Sequence, residues 1–393
     1  MKTDYRPEDF DYHLPEEAIA LHPAERRDAS RLLHYKGGLI TDHAFSDVVR
    51  LLPPGSQLIL NNTRVIHARL VGHKPTGGKV EIFLLRPADD AVDHAMQATG
   101  LTHWMCLVGG AKRWKDGHVT IQSDHVTVHA SLVEKRGDEF LVALEWKPGG
   151  MPFAEVLEHA GRIPLPPYIH REANESDRLR YQTAFAEKLG SVAAPTAGLH
   201  FTDEILRSLN VDQVKLTLHV SAGTFKPMSV DSIFDHEMHE EQCEVERSAI
   251  EMLSRAGKKY AVGTTSLRTL ESLYWLAEKW RREGKMPRFI DQHEPYKVEP
   301  QFTGFNEAMA WLHRALGEEG LDRYGFETSI MIAPGYTIRS IAGIFTNFHM
   351  PKSTLLLLVH AIIGDDWRRM YSHALSSGYR FLSYGDSSLL ERS

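Results

Sequence analysis

Five short segments of small and polar residues constrain this chain most. Residues 190–202 (Gly-Ser-Val-Ala-Ala-Pro-Thr-Ala-Gly-Leu-His-Phe-Thr) are followed by 218–225, 263–268, 346–354 and 383–386. Glycine, proline and serine do not propagate a helix or a strand, so each segment reads as a loop. Each also follows or adjoins an apolar run. Polar loops at the ends of buried strands are the arrangement of site loops in an open α/β sheet. The chain beyond 151 supports this. Residues 153–159, 205–209 and 269–279 read as helices, and 214–220, 260–263 and 330–333 as strands. Such alternation predicts an α/β fold.

Residues 64–150 differ in character. Six short alternating runs, beginning at Val65, Gly78, Thr102, Val119, Val126 and Glu139, are separated by turns with little helix between them. That pattern predicts a small antiparallel β-barrel of the six-stranded type. We therefore expect a barrel domain at 64–150, inserted into a discontinuous main domain of 1–63 and 151–393. Residues 280–325 are charged and irregular apart from a helical run at 307–316, and read as an elaboration outside the core.

The chain has 393 residues, enough for two domains, with 52 acidic against 45 basic side chains and a net charge of -7. A protein gripping a polyanion by bulk charge would not have this balance, so any nucleic-acid contact must use local basic patches. Two cysteines, Cys106 and Cys243, are too few for a disulfide framework or a cysteine-rich zinc site. The opening residues are polar and no apolar run is long enough to span a bilayer. We expect a cytoplasmic chain, acting as a monomer and away from membranes.

Several constellations are candidates for chemistry. There is no phosphate-binding loop of the G-x-x-x-x-G-K-[ST] type and no dinucleotide fingerprint, since 263–268 lacks the lysine. His236 and His239, three apart, would share one face of a helix beside Glu240 and Glu241, so metal ligation, acid/base work and a solvated helix start all stay open. Asn61, Asn62, Thr63 and Arg64 close a strand with hydrogen-bonding groups and a planar cation. Asn347, His349, Lys352 and Ser353 carry a similar mixture around a proline. Residues 161–168 form a stiff proline-rich loop containing Arg162 and ending at Tyr168. Beyond it lie Arg171, Arg178 and Arg180. Arginines interleaved with aromatics grip and stack on single-stranded RNA, or form an ordinary solvated surface. Lys112 and Arg113, beside Trp114, are a smaller patch of the same kind.

Taken in order, residues 27–33, 61–65, 161–168, 190–201, 219–225, 238–241, 263–268, 334–336, 346–354 and 379–386 resemble the S-adenosylmethionine:tRNA ribosyltransferase-isomerase family of queuosine synthesis. The resemblance runs across nearly the whole chain. It departs at Ser221, where the family usually has glycine, and in a longer stretch at 276–326. It implies an α/β/α sandwich with an inserted barrel. It also implies two substrates: tRNA carrying 7-aminomethyl-7-deazaguanine at the wobble position, and S-adenosylmethionine as ribosyl donor. No permanently bound cofactor and no metal are expected. The sulfonium acidifies the adjacent ribose carbon, so a general base is required. The candidates are His200, His219, His239 and Glu240. His239 sits among carboxylates that favour its protonated form, so His200 and His219 rank above it as bases. Arg268 and Lys352 are expected to hold the methionine carboxylate or a developing oxyanion. Other substrate contacts are expected from Pro195, Thr196, Gly198, Thr224, Thr264, Thr265, Ser266, Tyr384 and Asp386. Two rivals follow from the same residues: a metal-dependent hydrolase built on His236 and His239, and a non-catalytic RNA-binding module.

Overall fold

The computed structural model describes residues 5–88, 91–111, 114, 117–221 and 227–392. Thr224, Lys112 and Arg113 lie outside the described residues.

A ten-stranded mixed sheet forms the main body. Its order is Phe289–Ile290, Arg323–Thr328, Glu241–Glu246, Asp212–Leu218, Gln57–Asn61, Lys259–Val262, Gly343–Asn347, Ser387–Glu391, Arg31–Lys36 and Leu39–Ala44. The four central strands, from Asp212–Leu218 to Gly343–Asn347, are mutually parallel, with Val214 opposite Ile59, Ile59 opposite Ala261, and Ala261 opposite Ile344. All five residues of Gln57–Asn61 and all four of Lys259–Val262 are buried, as strands covered on both faces require. Successive side chains point to opposite faces. Ile59, Ala261 and Ile344 accordingly join one core, and Leu58, Leu60, Tyr260, Val262 and Phe345 another. Thr264–Glu283, Phe305–Glu318 and Thr354–Ile363 add residues to the first core, and Asp203–Ser208 to the second. Helices thus cover both faces, and the fold is the α/β sandwich the alternation predicts.

The barrel is present. Strands Arg69–His73, Lys79–Pro87, Leu101–Gly109, Glu139–Lys147, Thr127–Arg136 and His118–Gln122 pair in that order, and a bridge from His73 to Thr120 closes the circle. Gly72 sits at this seam, where a Cβ would lie 2.6 Å from Val119 and 2.7 Å from the Thr120 carbonyl. The first barrel strand begins at Arg69 rather than Val65, because Thr63–Val65 pairs instead with Lys188–Ser191.

Four local expectations fail, each for a visible reason. Residues 263–268 are not a loop, because Gly263 takes φ +90° and turns the strand directly into the helix Thr264–Glu283. Residues 330–333 are buried but outside the sheet. Side chains replace the ladder there: Ile330 N–H donates to Thr328 Oγ1, and the Tyr296 hydroxyl bonds the Met331 carbonyl and the Ala333 amide. His236 and His239 do not share a helix face, because Gln292 bonds the His236 carbonyl and the Met238 amide and holds that segment extended. The stretch 280–325 is not outside the core either. Phe305, Met309, Leu312 and Leu316 form a helical stripe buried in the first cluster, worth about 1.5–3 kcal/mol per side chain. Glu278 fastens the approach to this helix by accepting from the Gln301 and Phe302 amides.

Candidate active site

All four central strands run in one direction, so the residues that follow them converge on one edge. A cavity of about 820 Å³ opens there. Thr264 and Thr265 come from the strand–helix turn, Asn347 and His349 from the neighbouring strand end, and Thr196 from the loop below. Ser353 and Tyr168 complete the polar wall, while Ala194, Val220, Phe348, Met350, Leu355 and Leu382 form the apolar one. A mostly apolar cavity with a few converging polar groups is the usual form of a small-molecule site. The first turn of Thr264–Glu283 also presents its amides and the positive end of a long helix to this space.

The histidines fall into different places. His349 lines the cavity, 8 % exposed, with Nε2 2.8 Å from Thr346 Oγ1. Burial pushes its pKa down to about 3, so it is neutral at physiological pH. His200 lies one layer back and does not line the cavity. Its Nδ1 is 2.8 Å from Ser30 Oγ and its Nε2 3.4 Å from Asn347 Nδ2. Asn347 Oδ1 accepts from Thr196, so its amide donates to His200, and the proton of the ring sits on Nδ1. Burial, then the Arg380 and Arg27 guanidiniums, hold His200 at about 3. His219 bonds Thr63 Oγ1 through Nδ1 at 2.9 Å, and burial lowers it to about 4. It faces a cleft of about 2200 Å³ between the barrel and the main body, shared with His239 and Glu240. Both of those are exposed.

Several site-like residues have their bonding capacity used inside the protein. Asn61 donates to the Leu218 carbonyl and Thr265 Oγ1, and accepts from the Thr63 and Leu218 amides. Asn62 bonds Glu187 and Thr217, and Ser266 donates to the Val262 carbonyl. Asp386 takes the Arg31 and Arg380 amides, and Tyr384 donates to Asp177. The glycines likewise serve packing. A Cβ on Gly190 would lie 2.3 Å from Val92 and 2.8 Å from the His219 ring, and one on Gly198 2.7 Å from Phe185. Pro195 does line the cavity. Arg64 is half exposed and 3.9 Å from Glu158. Lys352 pairs with Glu8 and Asp11 on the surface.

A smaller recess adjoins the cavity at Leu355. Arg268 enters it from the helix, 8 % exposed, donating to the Ile330 carbonyl and paired with Glu241. Its Nη2 and the Ser221 hydroxyl are buried without a hydrogen-bond partner among the described residues. Here Ser221 adds a donor; its amide bonds Glu241 at 3.2 Å. Sequence reasoning missed Glu241 as the partner of Arg268, and it missed the apolar wall, whose residues look like ordinary core. Among the described residues, no group of three or more His, Cys, Asp or Glu is arranged to hold a metal. No helix among them is long and apolar enough to cross a membrane.

The arginines proposed for RNA are tied into the protein to different degrees. Arg171 makes a bidentate pair with Asp177 at 2.7 and 2.8 Å. Arg178 donates to the Glu158 carbonyl, and Arg180 to those of Ala24 and Glu25. Arg162 is half exposed, 3.9 Å from Glu172.

The comparisons with known proteins agree with one another. The family described as queuosine biosynthesis protein matches residues 7–390. An S-adenosylmethionine:tRNA ribosyltransferase-isomerase of Dechloromonas aromatica is 41% identical, over 98% of this chain and 96% of its own. One from Pelobacter propionicus is 40% identical, over 98% and 99%. A crystal structure of the S-adenosylmethionine tRNA ribosyltransferase of Thermotoga maritima covers 97% of this chain and 99% of its own, at 27% identity and a TM-score of 0.45. With a match to nearly every residue from one end to the other, the chain belongs to the queuosine biosynthesis family, the tRNA ribosyltransferase-isomerases.

Proposed function

We propose that the enzyme transfers and isomerises the ribosyl part of S-adenosylmethionine onto 7-aminomethyl-7-deazaguanine at the tRNA wobble position. The product is epoxyqueuosine in tRNA, and adenine and methionine leave. S-adenosylmethionine is consumed, so it is a co-substrate and not a resident cofactor. We take 64–150 as the barrel domain, 1–63 with 151–393 as the catalytic domain, and the working form as a cytoplasmic monomer. One observation carries the reading: a cavity at the carboxyl edge of the parallel strands, polar on one wall and apolar on the other.

The donor lies in this cavity, with its methionine end in the adjoining recess. The Nη2 of Arg268 and the Ser221 hydroxyl suit a carboxylate there, since each is a buried donor lacking an acceptor among the described residues. The base beside the sulfonium must be unprotonated at neutral pH. His349, His200 and His219 all meet that condition, and His349 alone of the three lines the cavity. We assign His349 as the base. His200 orients Asn347, and His219, His239 and Glu240 face the cleft that receives the tRNA.

Ribose-labelled S-adenosylmethionine should pass its label to precursor-bearing tRNA with release of free adenine, while methyl-labelled donor should leave the RNA unlabelled. Methyl label retained on the RNA would overturn the ribosyl-transfer reading.

A further inference from the structure

Behind His200, on the side away from Asn347, lies a shallow recess that no part of the proposed reaction uses. Three guanidiniums border it: Arg27, Arg180 and Arg380. They come from three distant parts of the chain. Each is anchored by carbonyls: Arg27 by Leu199 at 3.2 Å and Leu179 at 2.6 Å, Arg180 by Glu25 at 3.0 Å and Ala24 at 2.6 Å, and Arg380 by His22 at 3.4 Å. A carbonyl fixes a guanidinium in place without neutralising it. Asp386 pairs with Arg380 at 3.8 Å and also accepts two backbone amides. Asp177 is neutralised by Arg171. Arg180 Nε is buried with no hydrogen-bond partner among the described residues. Three guanidiniums thus border the recess against the carboxylate of Asp386, and one of their buried donors is unfilled among the described residues. The electrostatic consequence is visible on its walls: burial and then Arg180 lower Arg27, and Arg380 and Arg27 help keep His200 neutral. Planar forks converging in this way match a phosphate group, which accepts along several directions at once.

We infer that Arg27, Arg180 and Arg380 form a phosphate-binding site that anchors the tRNA backbone beside the catalytic cavity. Ser383 borders both the recess and the cavity, so a phosphodiester held here brings the adjoining nucleotide to the cavity mouth. The inference rests on the tRNA part of the proposed function. It also accounts for the acidic net charge, because a built site places its cations where one phosphate lies.

Arg380→Gln is the primary test, since its side chain is 37% exposed and is held by two long contacts, 3.4 Å to the His22 carbonyl and 3.8 Å to Asp386. Arg27→Gln is the second variant, with thermal melting to check that each remains folded. In one arm, binding of an anticodon stem-loop is measured against salt concentration. Each variant should lower the log–log slope by about 0.7–0.9. In the other arm, inorganic phosphate is titrated without RNA. It should raise the melting temperature of the wild type and have less effect on both variants. An unchanged slope with no phosphate effect overturns the site. Phosphate stabilisation that depends on these arginines, with an unchanged slope, overturns the RNA assignment and leaves a site for free phosphate. A labelled-donor experiment that fails while both arms succeed would refute the chemistry and leave this site standing.

Discussion

The residues in front of the carboxyl edge and those one layer behind it look alike in sequence and behave differently in the fold. In front, Thr196, Thr264, His349 and Ser353 face the cavity. Behind, Asn61, Asn62, Ser266 and His200 make their hydrogen bonds to other parts of the protein. The front layer also bonds internally but lines the space where a ligand would sit, whereas the back layer holds the strand ends in register. Composition does not separate the two, because both need small polar side chains, one for recognition and the other to satisfy buried backbone.

The strongest way to break this division is at the two histidines. His349→Ala should lower single-turnover adenine release by about 10²–10⁴-fold, or about 3–5 kcal/mol, with tRNA affinity retained. His200→Gln, which keeps a side chain for Asn347 and Ser30, should lose much less. Equal losses at both positions would erase the distinction.

Acid should treat the two layers alike. His200 and His349 are held near pKa 3 in the fold, against an ordinary value of about 6.5 in the unfolded chain. Below about pH 6.5 the unfolded state therefore binds more protons. Stability should be flat above that pH and fall beneath it, by about 1.4 kcal/mol per unit for each histidine. Urea unfolding at pH 7 and pH 5 measures a total to which the pair contributes about 4 kcal/mol and His219, held near 4, about 2 more. His200→Gln should remove about 2 kcal/mol of that dependence. A rate profile with a limb near 6.5 and no loss of stability would contradict it.

In the back layer, Asn61→Ala strips partners from the Leu218 amide and carbonyl. It should cost about 1–3 kcal/mol in denaturant unfolding, and should affect the donor's binding only through the position of Thr265. The smallest effect is expected at Lys352. Its ion pairs with Glu8 and Asp11 are on the surface, so Lys352→Ala should cost under about 1 kcal/mol and leave the donor's KM unchanged. A large KM effect would move Lys352 back into the site.

The sequence made the sheet legible through its alternation, and the barrel through its six short runs. The edge that carries the cavity was legible because small polar loops followed apolar strands. What escaped depends on contacts between distant segments. Residues 330–333 read as a strand, and bonds from the distant Tyr296 and Arg268, with Thr328, replace the ladder there. His236 and His239 have helical spacing, and bonds from the distant Gln292 hold the segment extended. Arg27 and Arg380 carry no local signal at all, since their shared recess exists only once residues 22–30, 180 and 380–385 meet.

The helix Thr264–Glu283 has a further consequence. Its first turn floors the cavity, and Glu278, fourteen residues on, anchors the segment that leads to Phe305–Glu318. At about 1.5 Å per residue these ends lie about 20 Å apart. A rigid rod of that length isolates chemistry at one end from growth at the other. The far end is therefore where this chain can accept added length without disturbing its reaction, which gives a natural place to graft a tag or a partner.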